Sequence, residues 1–140
     1  MCFFLNIVSL KKKIFSKKVK SVKFPGIYGD LSIFLNHAPL LTFIKSGSID
    51  IKLRNGNLEY IYISKGILEV QPKITNVLAN YAINSKNLNN TDLINKKNKI
   101  KLCYKTNKDF DYNYQIKKKY NNILKKIFFL KNIRKKKKKK

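Results

Sequence analysis

The residues that usually do chemistry are sparse in this chain of 140 residues, and their spacing assembles no catalytic or metal site. His37 is the single histidine, so no Ser-His-Asp triad and no multi-histidine metal site is read here. Cys2 and Cys103 are too few for a disulfide framework, and neither has a metal-like companion. No G-x-x-x-x-G-K-[ST] loop offers backbone N–H groups to a phosphate. Seven carboxylates scattered through lysine-rich sequence read as partners in surface ion pairs rather than an acid–base couple. The chain is therefore expected to be no enzyme and to carry no cofactor and no metal. What it has in abundance is cation: 32 Lys and Arg give a net charge of +25. Such a charge draws nucleic acid, anionic membrane or acidic protein surfaces.

A coding bias competes with selection as the origin of that charge. Lys, Asn, Ile, Phe and Tyr are over-represented, all with AT-rich codons, while Ala, Gly, Pro and Trp are scarce or absent. The potential strengthens encounters with acidic partners whatever its origin. The apolar share of 44%, with 12% aromatic, is enough to bury a modest core. The opening MCFFLNIVSL has its lysines after the apolar run, the reverse of a secretory leader, and is too short to span a bilayer. With two cysteines and no long apolar run, the expectation is a reducing compartment and no transmembrane segment.

Up to about Leu88 the pattern is strand-like, with β-branched and aromatic runs punctuated by Pro25-Gly26, Gly29-Asp30, Ser46-Gly47, Asn55-Gly56 and Lys65-Gly66. Asn-Gly favours a type I′ turn, so Asn55-Gly56 predicts a two-residue hairpin over residues 49–63. That register sets Leu53 opposite Leu58, Ile51 opposite Tyr60 and Ile49 opposite Tyr62, with Lys52 facing Glu59. Residues 67–70 and 74–79 add two strands around Gln71-Pro72, with Gly66 and Pro72 as turn residues and Glu69 as an ion-pair partner. Repeated short strands predict an all-β sandwich or barrel.

Beyond Leu88 neither Gly nor Pro occurs, and the apolar spacing becomes helical. Ile116, Tyr120, Ile123, Leu124, Ile127, Leu130 and Ile133 form one stripe of an amphipathic helix over residues 112–134, roughly 33 Å long. Asp109 and Asp111 suit its N-terminus, and the terminal lysines its C-terminus. A first helix is predicted over residues 90–106, with Leu93, Ile94, Ile100 and Cys103 inside. The expected organisation is an N-terminal antiparallel β-sandwich (1–87), a C-terminal α-helical hairpin (88–134) and a disordered lysine tail (135–140).

Two motifs bear a family likeness. Residues 29–47 read GDLSIFLNHAPLLTFIKSG, close to G-E-L-G-I-x-P-G-H-A-P-L-L-T-x-I-x-x-G, and residues 62–72 read YISKGILEVQP, close to S-x-G-I-L-E-V-Q-P. The chain resembles the epsilon subunit family of bacterial F-type ATP synthases from Leu5 to about Leu88. The resemblance implies a flattened antiparallel β-sandwich and a helical hairpin. It also implies a non-catalytic role clamping the central-stalk gamma subunit to the membrane rotor ring of c subunits, peripheral on the cytoplasmic side of a bacterial inner membrane. Carried over by position, Asp30 and His37 face the ring, and Thr42 neighbours the central stalk. Read from the residues alone, His37 is a histidine of a sandwich loop, with Pro39 biasing Ala38 to extended geometry.

The second helix carries Lys117, Lys118, Lys119, Lys125, Lys126, Lys131 and Arg134, which read either as a solvated face or, by the resemblance, as an inhibitory basic helix against acidic segments of the catalytic alpha/beta head. Departures from the pattern are as informative. Some family members bind ATP through I/L-D-x-x-R-A, but here the positions read Leu88-Asn89-Asn90-Thr91-Asp92-Leu93, so a phosphate-holding guanidinium has become a carboxylate. Nucleotide sensing at this place is expected to be lost. Asn36 stands where the family has glycine in a turn, and asparagine can adopt the left-handed geometry moderately well, so the turn is expected to survive. The rival reading is a small basic β-domain that binds nucleic acid or another polyanion. That requires aromatics displayed on a basic groove, and no such pattern is visible.

Overall fold

A computed structural model describes residues 1–88, 90–106 and 110–138, with side chains described outside residues 90, 100–106, 110–116 and 135–138. The chain divides into two compact units, Met1–Asn87 and Leu88–Lys140. The first holds seven strands: β1 (Phe3–Ser9), β2 (Lys13–Gly26), β3 (Gly29–Phe34), β4 (Leu40–Ile44), β5 (Gly47–Leu53), β6 (Leu58–Val70) and β7 (Ile74–Asn84). β1 alternates buried and half-buried along its length, the period-2 signature of a strand with one face on the core. The pairings β1–β7–β6–β5–β2–β1 close on themselves, so the sandwich is a flattened ring, with β3 added to β2 and β4 to β6. The β1–β7 pair is parallel in an otherwise antiparallel set.

The interior is mostly aliphatic, with a few phenylalanines. Leu5, Ile7, Val19, Phe24, Ile49, Ile51, Ile61, Ile63 and Leu68 are fully buried in one cluster. Each is worth about 1.5–3 kcal/mol relative to exposure. The β5–β6 hairpin corrects the predicted register by one residue. Ile49 stands opposite Ile61, Asp50 opposite Tyr60, Ile51 opposite Glu59 and Lys52 opposite Leu58. The turn has three residues: the Leu53 N–H donates to the Asn57 carbonyl at 2.8 Å, and the Gly56 N–H to the Leu53 carbonyl at 2.9 Å. Gly56 takes φ 90. Asn55 keeps negative φ and accepts the Asn57 N–H through Oδ1 at 2.9 Å, a type I turn closed by a glycine bulge. A one-residue slip exchanges the two faces of a strand. The observed slip sends Ile61 and Ile63 inward with Ile49 and Ile51, and it turns Glu59 away from Lys52.

Gly66 likewise differs from expectation, lying within β6 rather than in a turn. Ile61 and Ile63 point inward before it, and Leu68 and Val70 after it, so the strand changes parity near its middle. A Cβ on Gly66 would stand 2.6 Å from the Leu78 carbonyl oxygen, which is why the close β6–β7 approach needs glycine there.

The second unit pairs α1 (Asn90–Thr106) with α2 (Phe110–Lys138). Leu93 is buried against Ile123 and Ile127, with Leu88 and Leu130 alongside. Ile94, expected inside, is 42% exposed, because a residue adjacent to Leu93 lies about 100° round the helix. Ile133 is buried as the stripe predicts, and Phe129 is buried outside that stripe. The side chains of Ile100, Cys103, Asp111 and Ile116, and Asp109 altogether, lie outside the described residues. α2 continues past Arg134 to Lys138, taking in residues 135–138 that the sequence reading assigns to a disordered tail. Lysine is a good helix former, and no breaker intervenes. Among the described residues no helix is long and apolar enough to cross a membrane.

Candidate functional site

The structure distributes the expected site residues over three places. Asp30 follows the β2–β3 turn, where Gly26 pairs with Gly29 and leaves Ile27 and Tyr28 at the tip. A Cβ on Gly26 would approach the Gly29 carbonyl to 2.5 Å, and Gly29 takes φ 127, so both glycines are needed to turn the chain so tightly. Tyr28 is 96% exposed. The Asp30 carboxylate lies 3.4 Å from the Lys23 Nζ with both groups in solvent, an arrangement that contributes little to stability and leaves the acid accessible.

His37 is in the loop between β3 and β4. Asn36 adopts φ 65, the left-handed geometry that asparagine tolerates. Its N–H donates to the Pro72 carbonyl at 2.8 Å, and the His37 N–H to the Phe34 carbonyl at 3.2 Å. The His37 Nδ1 is 2.7 Å from the Ala38 carbonyl, an acceptor, so the proton is on Nδ1. Asp30 and His37 are not brought together: one lies at the start of β3 and the other just beyond its end.

Thr42 faces inward, opposite the fully buried Leu68, with its hydroxyl 3.4 Å from the Phe43 carbonyl. Its neighbours Leu41 and Phe43 face outward, 73% and 62% exposed. Phe43 is opposite Ile67, Ile67 opposite Leu78, and Leu78 opposite Val8, so an apolar row crosses β4, β6, β7 and β1 on the outer face. Beside it runs a polar row. Gln71 Nε2 donates to Glu69 at 2.6 Å, Asn6 Nδ2 to Asn76 at 3.1 Å, and Ser16 Oγ to Asn6 at 2.7 Å. Glu69 thus bonds a neutral amide. In the sequence this apolar row is signalled only by the run LLTFI, apolar on both faces of one strand.

The lysines of α2 are not one face. Lys117, Lys118, Lys119, Lys125, Lys131 and Arg134 are exposed, and Lys126 is half-buried. Lys119 and Lys126 join Lys96 and Lys99 of α1 and Asn122 around an apolar floor of Leu93 and Ile123, lining a cleft of about 420 Å³. Lys96 and Lys99 were legible as an i,i+3 pair on α1. Leu93, which replaces the alanine of the nucleotide motif, fills the seam between the helices. Asn89 of that motif is outside the described residues. Among the described residues no cluster of His, Cys, Asp and Glu could hold a metal ion. Tyr62 has its phenol pushed above the usual range, first by burial and then by the neighbouring Tyr81.

Residues 2–85 match the family profile described as ATP synthase, Delta/Epsilon chain, beta-sandwich domain. The chain belongs to the ATP synthase Delta/Epsilon chain family. The sandwich is this family's beta-sandwich domain, and the match stops just before the helical unit. Two solved structures share the fold. One is a chain of the Euglena gracilis mitochondrial ATP synthase, described as OSCP/F1/c-ring, at a TM-score of 0.68 and 13% identity, covering 94% of this chain and 80% of that one. The other is from the Tetrahymena thermophila mitochondrial ATP synthase, described as central stalk/c-ring, at a TM-score of 0.50 and 12% identity, covering 61% and 68%. The Euglena likeness extends beyond the sandwich to the helices of this Delta/Epsilon-family chain.

Proposed function

We propose that this chain is a non-catalytic central-stalk subunit of a proton-translocating F-type ATP synthase, coupling the rotor ring to the catalytic head during ATP synthesis. The observation that carries the proposal is the apolar row Phe43, Ile67 and Leu78, with Leu41 beside it on β4, on the outer face of a Delta/Epsilon-family sandwich. A row of large apolar side chains left in solvent marks a surface made for a partner. The gamma subunit of the stalk covers it. Thr42 remains at this contact through its backbone, while Leu41 and Phe43 supply the buried area.

Asp30 and His37 are proposed as ring contacts. Their placement at opposite ends of β3 then requires that edge strand to lie along the ring surface, with Asp30 accepting hydrogen bonds from basic polar groups of the ring. The helix carrying Lys117, Lys118, Lys119, Lys125, Lys126, Lys131 and Arg134 is proposed to meet acidic segments of the alpha/beta head and restrain ATP hydrolysis. Two positions of the helices that differ by a few kcal/mol would suffice for such a brake. No nucleotide is sensed through residues 88–93, where Asp92 replaces the arginine. The chain is peripheral, on the head-bearing side of the coupling membrane, which in the bacterial reading is the cytoplasmic face of the inner membrane. The two structural neighbours come from mitochondrial enzymes.

The test is co-elution of the chain with gamma subunit and ring at physiological salt. Co-elution supports the proposal. Persistent, specific binding of nucleic acid with no co-elution overturns it, since +25 alone gives only salt-sensitive binding.

A further inference from the structure

The last residues of the sandwich unit, Ser85–Asn87, form a 3-10 turn that leads directly to Leu88, the first residue of the helical unit. One side chain ties this connector to the sandwich. Glu59, on an inward position opposite the fully buried Ile51, is the one charged side chain in the buried class among the described residues. The Lys86 Nζ donates to its Oε1 at 3.2 Å, and the Lys17 Nζ stands 4.0 Å away. The Lys86 backbone N–H is held by Asn84 Oδ1 at 3.1 Å, so both ends of Lys86 are engaged. A buried carboxylate is costly unless paired, and breaking such a pair leaves an uncompensated charge. The Lys86 side chain is 72% exposed, so the pair is screened on the lysine side, but its acid is shielded from water as Asp30 in the Lys23–Asp30 pair is not.

We infer that Glu59 is a positioning residue, a latch that holds the connector against the sandwich as far as Asn87. Rearrangement of the helices then begins at Leu88 and leaves residues 85–87 in place. The chain leaves the sandwich unit from a tethered connector, which matters for inhibition only so far as the inhibitory reading above holds.

Hydrogen exchange of the full chain tests the latch. In Glu59→Gln and in Lys86→Met the amides of Lys86 and Asn87 should exchange roughly tenfold faster, while Leu68 and Val77 in the sheet keep wild-type rates. The double variant should exchange no faster than either single one, because both remove one interaction. Lys17→Met should change these amides far less. Lys86→Met alters an exposed side chain, so it reports even where Glu59→Gln impairs folding. Unchanged exchange at Lys86 and Asn87 in Lys86→Met, or additive effects in the double variant, overturns the latch. ATP hydrolysis assays on the same variants report separately: a wild-type chain that does not inhibit removes the inhibitory reading, while the exchange result still decides the latch.

Discussion

Phe43 on β4 stands directly opposite Ile67 on β6, both on the outer face and exposed by 62% and 41%. Their neighbours Thr42 and Leu68 face the interior between the two layers. Under the proposed function, the contact surface for the stalk is built from the residues flanking Thr42 rather than from its side chain.

Phe43→Asp tests that surface. Phe43 is exposed, so the melting temperature should move little. A charge in the apolar row should weaken assembly with the stalk subunit by tenfold or more. Titration calorimetry and a thermal melt on the same variant check both. Wild-type affinity would remove this face from the interface.

Cysteines at Asp30 and His37 test the orientation of β3. Each should form cross-links to polar loops of the ring in assembled enzyme. A cross-link from one end of β3 and none from the other would show that the strand does not lie along the ring.

Much of this was legible in sequence, and the rest was lost for physical reasons. The strand-rich N-terminal unit and the buried Ile123 and Ile127 follow from periodicity, while α1 is placed by the absence of Gly and Pro despite its poor apolar stripe. The hairpin register does not, because Asn-Gly serves two turn types. The choice between them is made by burial of Ile61 and Ile63, which residue spacing near the turn does not reveal. Glu59 was legible as an acid, but its partner Lys86 lies 27 residues away. The separation of Asp30 from His37 depends on the three-dimensional course of β3, and a motif written in one line hides it.

Thr75 offers a test of the core itself. It is 0% exposed, its hydroxyl has no partner among the described residues, and it stands opposite Leu5 and Val70. An unsatisfied buried hydroxyl costs about 1–3 kcal/mol. Thr75→Val should therefore stabilise the sandwich by about 1 kcal/mol and raise its melting temperature by a few degrees. A lower melting temperature would indicate a hydrogen bond made in solution.

Tyr62 gives a pH signature. Burial, then Tyr81, raise its folded-state pKa above the unfolded value of about 10, favouring the neutral phenol in the folded chain. That contribution is whole below about pH 10 and is lost as pH rises through the folded pKa. Tyr62→Phe should lose less stability than wild type in alkaline denaturation curves, with lysine titration common to both proteins. Parallel curves would mean that the Tyr62 phenol ionises as freely folded as unfolded.

Membership of the stalk is decided by adding this chain, and a version ending at Asn87, to the matching catalytic head and gamma subunit, while measuring binding and ATP hydrolysis together. Both versions should bind, and only the full chain should slow hydrolysis. Binding by neither version would rule out a place in the stalk.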